Sequence, residues 1–295
     1  MNKELSILLP CYNYICIPLV KELAEQALSI LNLTFEIVVI DDGSHEKAMV
    51  KANREINHIQ NCRYIVLTEN IGRSAVRNRL ATEARYERLL FLDCKHTLPD
   101  CHFIERYIHH YENDVVNGGV EVVGEPHLLS GNLRFMYEVY SQNRFTTENR
   151  MNDEYGSFRT SNFMVKKNVM QHCHFDETIV RYGYEDVLFG RQLKEKGYHI
   201  THIDNPVLFS HFESNKAYIK KTEEAMITLH EHREELHDYS SLLKKVDILK
   251  KYGIYWPVKV VMKWSLPYIR RRLEGKHPRV WLLQMYKLGY IINLT

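Results

Sequence analysis

Residues 35–44 read FEIVVIDDGS. Phe35, Ile37, Val38, Val39 and Ile40 make a near-continuous, β-branched apolar run that stops abruptly at Asp41-Asp42-Gly43-Ser44. A run this apolar reads as a strand buried on both faces, the habit of parallel sheets. Working outward, Ser6 to Pro10 (SILLP) is an earlier apolar run, Tyr64 to Leu67 a later one, and Arg88 to Leu92 a fourth that closes on Asp93. Between them Leu19, Leu23, Ala27, Ile30 and Leu31 recur at helical spacing, Glu46 to Ile59 reads as a polar helical stretch, and the turn Asn70-Ile71-Gly72 precedes a helix from Ser74 to Ala84. Strands alternating with helices predict an α/β fold with a doubly wound, mostly parallel sheet flanked by helices. Such sheets bind ligands beyond the carboxyl ends of their strands. Asp41, Asp42 and Asp93 all fall at that edge.

Beyond residue 100 the alternation is less regular. Val120 to Val123 and Phe158 to Val165 read as strands, and Gly183-Tyr184-Glu185-Asp186 leads into a helix from Val187 to Lys196 with Gly197 as its C-cap. A strand from His199 to Ile203 follows, then a short run to His211. From Lys216 the pattern is helical and charged. After Tyr252 it turns basic and aromatic: Trp256, Trp264, Tyr268, Trp281 and Tyr286 stand among eight Lys or Arg and one acid, Glu274. Basic side chains with Trp and Tyr at helical spacing suit an interfacial membrane helix. A helical appendage packed on the preceding domain, with its cations in water, fits the pattern as well. Pro257, Pro267 and Pro278 are expected to break this run into short pieces, so that none spans a bilayer.

The bulk properties narrow the classes. A 45% hydrophobic and 26% charged composition over 295 residues is ordinary for a globular protein that needs no staples. A net charge of +2 gives no field that calls for nucleic acid. Six cysteines without C-x-x-C spacing fit a reducing compartment. The expected location is cytoplasmic, with possible peripheral attachment to the inner face of the membrane. The first strand is not followed by a Gly-rich turn, and there is no P-loop, which argues against dinucleotide and P-loop enzymes.

Leu9-Pro10-Cys11-Tyr12-Asn13, Val39-Ile40-Asp41-Asp42-Gly43-Ser44, Asn70-Ile71-Gly72 with Arg77-Asn78, Phe91-Leu92-Asp93 and Glu185-Asp186 are each weak signals. In this order and spacing they resemble the family-2 inverting glycosyltransferases of the GT-A fold, through about residue 215. The resemblance implies a nucleotide-sugar-binding half (1–100), an acceptor-binding and catalytic half (101–215) and a helical basic and aromatic extension (216–295). It implies a nucleotide-sugar donor, with UDP the leading nucleotide, a glycan, lipid-linked or protein acceptor, and a divalent cation, Mn²⁺ or Mg²⁺.

Residue by residue, the resemblance assigns Pro10 and Tyr12 to the nucleoside and makes Asp41 an acceptor for a base N–H. Asp42-Gly43-Ser44 reads equally as an acidic turn with a capping Ser44. Gly72 permits a tight turn or a close approach to the ligand. Arg73 and Arg77 are candidates for the diphosphate, for tying down the acidic edge, or for a solvated helix face. Asp93 is the donor-side metal position, where the family usually has a second Asp two residues on. Here Lys95 stands in that place. Either Asp93 ligates the metal with help such as His211, or the Lys95 ammonium supplies part of the positive charge, or Lys95 points to solvent. In several related transferases a late His completes the metal shell. Asp186 is the candidate general base, at a helix start whose dipole favours the ionised form, and Glu185 orients the acceptor or supports the turn. Asn162 is a further candidate contact to the donor sugar or acceptor. The competing reading is a nucleotide-sugar-binding or scaffold protein that has lost transfer.

Overall fold

The computed structural model describes residues 2–294. Among the described residues nine strands run in chain order as β1 (Lys3–Cys11), β2 (Leu33–Asp41), β3 (Cys62–Val66), β4 (Arg88–Leu92), β5 (Val115–Asn117), β6 (Val120–Val122), β7 (Asn162–Lys166), β8 (Ile200–His202) and β9 (Val207–Phe209). Seven of them form one sheet in the order β3-β2-β1-β4-β7-β5-β8. β1, β2, β3 and β4 are mutually parallel, as are β5 and β8, while β7 is antiparallel to both of its neighbours. β6 pairs with β9 in a second, two-stranded sheet. The doubly wound, mostly parallel α/β architecture is therefore present.

The strand sequences dictate this layering. Along β1 and β2, Ile7, Leu9, Ile37 and Val39 turn to one face, where they pack on Leu19, Val20 and Leu23 of the helix Ile17–Ser29. Leu8, Val38 and Ile40 turn to the other face, against Val76 and Leu80 of the helix Arg73–Glu83. A period of two with both sets apolar is what a sheet covered on both faces requires. Several elements were not legible in the sequence, among them the helices Phe103–His109, Leu133–Gln142, Thr147–Asn152 and Lys167–His172 and the strand β5. Three residues are too few to show a period.

The chain divides into two compact units. The first comprises Met1–Glu121, Arg144–Val180 and Phe189–Ser210, and the second comprises Val122–Asn143, Arg181–Leu188 and His211–Thr295. The units thus interleave along the chain. Polar contacts inside the second unit explain this. Asn215 accepts from the Leu133 N–H at 2.7 Å and donates to the carbonyls of Gly131 and Gly275, each at 2.9 Å. Arg134 pairs with Glu138 at 2.8 Å and lies over the Tyr218 ring.

The expected fragmentation by proline is corrected. Tyr255–Glu274 is a continuous 20-residue helix with Pro267 inside it. Pro257 occupies its first turn, where no backbone N–H has a helical partner to lose. Pro278 alone falls in a break, before the helix Val280–Leu294. Leu266, Ile269 and Leu273 of the first helix pack with Leu283 and Tyr286 of the second, and this burial outweighs the one hydrogen bond that Pro267 removes. No described helix is long and apolar enough to cross a membrane. All six cysteines are free thiols, and all but Cys101 are buried.

Candidate functional site

In the first unit β1 and β2 end side by side, with Pro10 opposite Ile40 and Cys11 opposite Asp41. Asp41 is only 1% exposed. One carboxylate oxygen accepts the Ser44 N–H at 2.7 Å and the other accepts the Tyr64 hydroxyl. Its work in this structure is to fix the loop that leaves β2. Asp42 does the same for the next loop, accepting from the N–H groups of Ile71 at 2.7 Å and Gly72 at 3.1 Å. Burial raises the Asp42 carboxyl above the ordinary range, against the pull of those two N–H donors. Asn13, in a left-handed conformation, ties the first loop across: its N–H donates to Ser44 Oγ and its side-chain oxygen accepts from His45 and Glu46. Tyr12 remains partly exposed beside His45, the rings edge-on with centroids 6.0 Å apart. The Tyr12 ring offers an aromatic flank at the strand edge, with the His45 imidazole beside it. His45 had no signal in the sequence beyond its place after Ser44.

Gly43 makes the crossing of these loops possible. Its φ is +68°, and a Cβ there would lie 2.5 Å from the Glu69 carbonyl carbon and 2.7 Å from the Asn70 nitrogen. Both obstacles are backbone, so neither can swing aside. We expect Gly43→Ala to cost about 1–3 kcal/mol from the left-handed φ alone, with the clash adding to it. A lowered denaturation midpoint with an unchanged slope checks this. A midpoint equal to wild type would show that the loops yield.

Arg73 opens the helix Arg73–Glu83 directly after Gly72, which sits at φ +91° as its N-cap. Arg77, one turn on, is 2% exposed and points at Asp93, its Nη2 lying 2.6 Å from Oδ1. The guanidinium also donates to the Arg73 carbonyl and lies over the Phe175 ring. Arg77 therefore ties down the acidic edge, one of the roles open to it from sequence. Asp93, with a quarter of its side chain exposed, sits just past β4. Burial pushes its carboxyl up, but the Arg77 and Arg73 guanidinium groups and His96 outweigh this and hold it below the usual carboxylate range. Its second oxygen accepts no hydrogen bond among the described residues. An ionised carboxylate with a free oxygen suits a hard divalent cation.

After Asp93 the chain turns. Cys94 buries its thiol, while Lys95 stays exposed with its ammonium 5.9 Å from the Tyr14 ring centroid. Lys95 thus puts a cation two residues beyond Asp93, where the resemblance implies a carboxylate. His96 closes the turn, donating its N–H to the Asp93 carbonyl at 3.2 Å, and packs against Phe209. The Asp-x-x-His spacing was the signal that could have drawn attention to His96. Asn162 requires a correction. It is buried, its amide oxygen accepts the Tyr107 hydroxyl at 2.6 Å, and its amide nitrogen donates to the carbonyls of Gly119 and Asn205 at 2.8 Å. A side chain buried and bonded in this way ties β7 to the helix and loops beside it and exposes no polar atom to a donor sugar.

The second unit carries the other acidic pair. The helix begins at Glu185, two residues earlier than the apolar pattern suggests, so Glu185 and Asp186 both lie in its first turn. Gly183 at φ +100° and Tyr184 at φ +69° precede it. A left-handed tyrosine costs on the order of 1 kcal/mol and persists only where its surroundings enforce it. The enforcement comes from the second unit: a Cβ on Gly183 would meet the Ala225 side chain at 2.9 Å, and the Tyr182 carbonyl accepts from Thr228. Glu185 is buried and Asp186 is partly exposed, with Oδ1 accepting the Val187 N–H at 2.9 Å. His211 lies exposed in the loop between β9 and the helix Asn215–Glu231.

The model of the family described as "Glycosyl transferase family 2" matches residues 6–175, more than half of the chain. Among solved structures, residues 1–349 of S. aureus TarS share 18% identity over 76% of this chain, with a TM-score of 0.50. The match spans 64% of that TarS fragment. The mannosyltransferase PcManGT from Pyrobaculum calidifontis, solved with GDP-Man and Mn²⁺, shares 14% identity over 97% of this chain and 85% of its own, with a TM-score of 0.57. At such identities the likeness is one of fold. No curated protein matches the chain by sequence.

Proposed function

The chain belongs to glycosyl transferase family 2, and from that premise we propose that it moves a sugar, with inversion, from a nucleoside-diphosphate sugar to a hydroxyl acceptor in glycan or polysaccharide synthesis. A UDP-sugar is the first donor to try, with a hexosyl or N-acetylhexosaminyl group to transfer. The observation that carries the reading is Asp93: an ionised, partly exposed carboxylate past β4, braced by a buried arginine, at the edge where this fold binds ligands. The flank formed by Tyr12 and His45 supports a nucleoside there, and the first turn of the helix Arg73–Glu83, led by Arg73, supports the diphosphate. Asp93 is the residue to hold the divalent cation, which would neutralise charge on the departing nucleotide. The Mn²⁺ and GDP-Man of PcManGT are a cation and donor of the class this reading needs. Asp186, at a helix start whose dipole favours a carboxylate, takes the proton of the acceptor hydroxyl as its oxygen attacks the anomeric carbon opposite the leaving group.

Lys95 favours a second reading, a nucleotide-sugar-binding or scaffold protein without transfer. Nucleotide release from a panel of UDP- and GDP-sugars, with and without Mn²⁺, separates the two. We expect release from a UDP-sugar that Mn²⁺ raises about tenfold or more. Release without any metal response moves the charge role to Lys95. Binding with no release, across a broad acceptor set, would leave the scaffold reading.

A further inference from the structure

The second unit carries its most apolar exposed surface on its C-terminal helices. On the helix Tyr255–Glu274, Trp256, Val260, Trp264 and Tyr268 follow one another at intervals of four, so they form a single ridge. They are 68%, 55%, 81% and 68% exposed, far more than a core-facing row would be. The inward face of the same helix is already satisfied by packing on the helix Val280–Leu294, which itself exposes Trp281. Lys263, Arg271 and Arg272 are also exposed on the ridge-bearing helix, whose single acid is Glu274.

Beside the first turn of this helix lies an open cavity of about 620 Å³. Its lining includes His230, Arg233, Lys250, Tyr255, Trp256 and Lys259, and no carboxylate. Lys250 and Lys259 stand 5.5 and 5.9 Å from the Tyr255 ring centroid, and Lys259 is 5.5 Å from that of Trp256. Arg233, Lys250 and Lys259 form no ion pair among the described residues. Trp256 belongs to both features, so a cationic pocket opens at the end of an aromatic ridge.

We propose that this face docks in the interface of an anionic phospholipid bilayer. Trp256, Trp264 and Tyr268 enter the boundary between headgroups and acyl chains, and the pocket formed by Arg233, Lys250 and Lys259 takes a lipid phosphate. Trp and Tyr sit at headgroup depth, where an anionic leaflet presents its phosphates to neighbouring cations. A second copy of the face fits less well, since it would oppose like charges. The inference does not depend on the catalytic reading.

The test is co-sedimentation of the full chain with phosphatidylcholine vesicles, with and without about one-third phosphatidylglycerol. The expected result is at least about tenfold stronger binding to the anionic vesicles, with a blue shift of tryptophan fluorescence. Trp264→Ala, at a side chain that is almost wholly exposed, should weaken binding several-fold. The triple variant Arg233→Glu, Lys250→Glu, Lys259→Glu should remove the preference for anionic lipid, with its circular dichroism melt showing that it folds. Should the triple variant fail to fold, Trp264→Ala still decides. Equal binding to both vesicle types, or Trp264→Ala binding like wild type, overturns the proposal. So does release of the vesicle-bound chain by millimolar inorganic phosphate, which would make the pocket a site for soluble anions. A dimer in sedimentation velocity that Trp264→Asp dissolves would assign the ridge to a second copy and overturn it too. None of these readouts uses donor turnover, so failure here leaves sugar transfer untouched, and failure of transfer leaves lipid binding standing.

Discussion

Asp186→Asn is expected to lower sugar transfer by about a thousandfold while leaving donor affinity within about twofold of wild type. The amide is nearly isosteric with the carboxylate but cannot take a proton from the acceptor hydroxyl, so the loss falls on the chemical step. The conformation of the turn should survive the change. It is imposed by Gly183, by the left-handed Tyr184 and by the contact with Ala225, and the Asn side-chain oxygen can still accept the Val187 N–H. Single-turnover transfer and calorimetric donor binding, measured on the same preparation, separate the two effects. Transfer at the wild-type rate would place the base elsewhere. A parallel loss of donor affinity would show that Asp186 holds the donor.

Asp93→Asn should remove both Mn²⁺-stimulated turnover and a sizeable share of the stability. Arg77 is fully buried, and its ion pair partner is Asp93. Removing one member of a fully buried pair typically costs about 3–5 kcal/mol, because the other charge is left uncompensated; with Asp93 a quarter exposed, the cost here falls below that range. The double variant Arg77→Met, Asp93→Asn should therefore regain part of the lost stability without regaining any activity. Chemical denaturation of the three variants reads the first effect, and Mn²⁺ titration of nucleotide release reads the second. If the single and double variants prove equally unstable, the ion pair is not the cause. The pH dependence follows from the same geometry. The Asp93 carboxyl is held below its ordinary value, so the unfolded chain binds the proton more readily than the native one in the window between the two. Its contribution to stability is fully present above the unfolded value, about 3.9, and is lost as pH falls through the depressed native value. Acid denaturation of Asp93→Asn should accordingly lack that component.

How much of this was legible beforehand depended on burial. β1, β2, β3 and β4 could be read because both of their faces are covered, which leaves long apolar runs such as Ile37–Ile40 ending on polar loops. The direction of β7 could not be read: its residues are as apolar as those of a parallel strand, and only its place between β4 and β5 makes it antiparallel. Asp41, Asp42 and Asp93 fell at the correct edge, since a strand's end is written in its sequence. Their partners were hidden. Arg77 meets Asp93 across a helix and a strand, and Tyr64 meets Asp41 from a neighbouring strand. Asn162 misled for the opposite reason, because a polar residue beside an apolar run looks the same whether it faces a ligand or three buried partners. Pro267 misled because helix propensity is a local rule, overridden here by the packing of Ile269 and Leu273 on Leu283.

The interleaving of the two units bears on the order in which the chain can be built. During synthesis residues 122–143 and 181–188 leave the ribosome well before the helices they pack on, which begin at Asn215. Leu133 waits for Asn215, Gly183 waits for Ala225, and Gly131 waits for Asn215 to bridge it to Gly275. The strands of the first unit through β4 can pair as they emerge, but the turn bearing Glu185 and Asp186 gains its support from Ala225 and Thr228 only once the helix Asn215–Glu231 has followed. The acidic pair thus takes shape after the edge at which β1, β2 and β4 end.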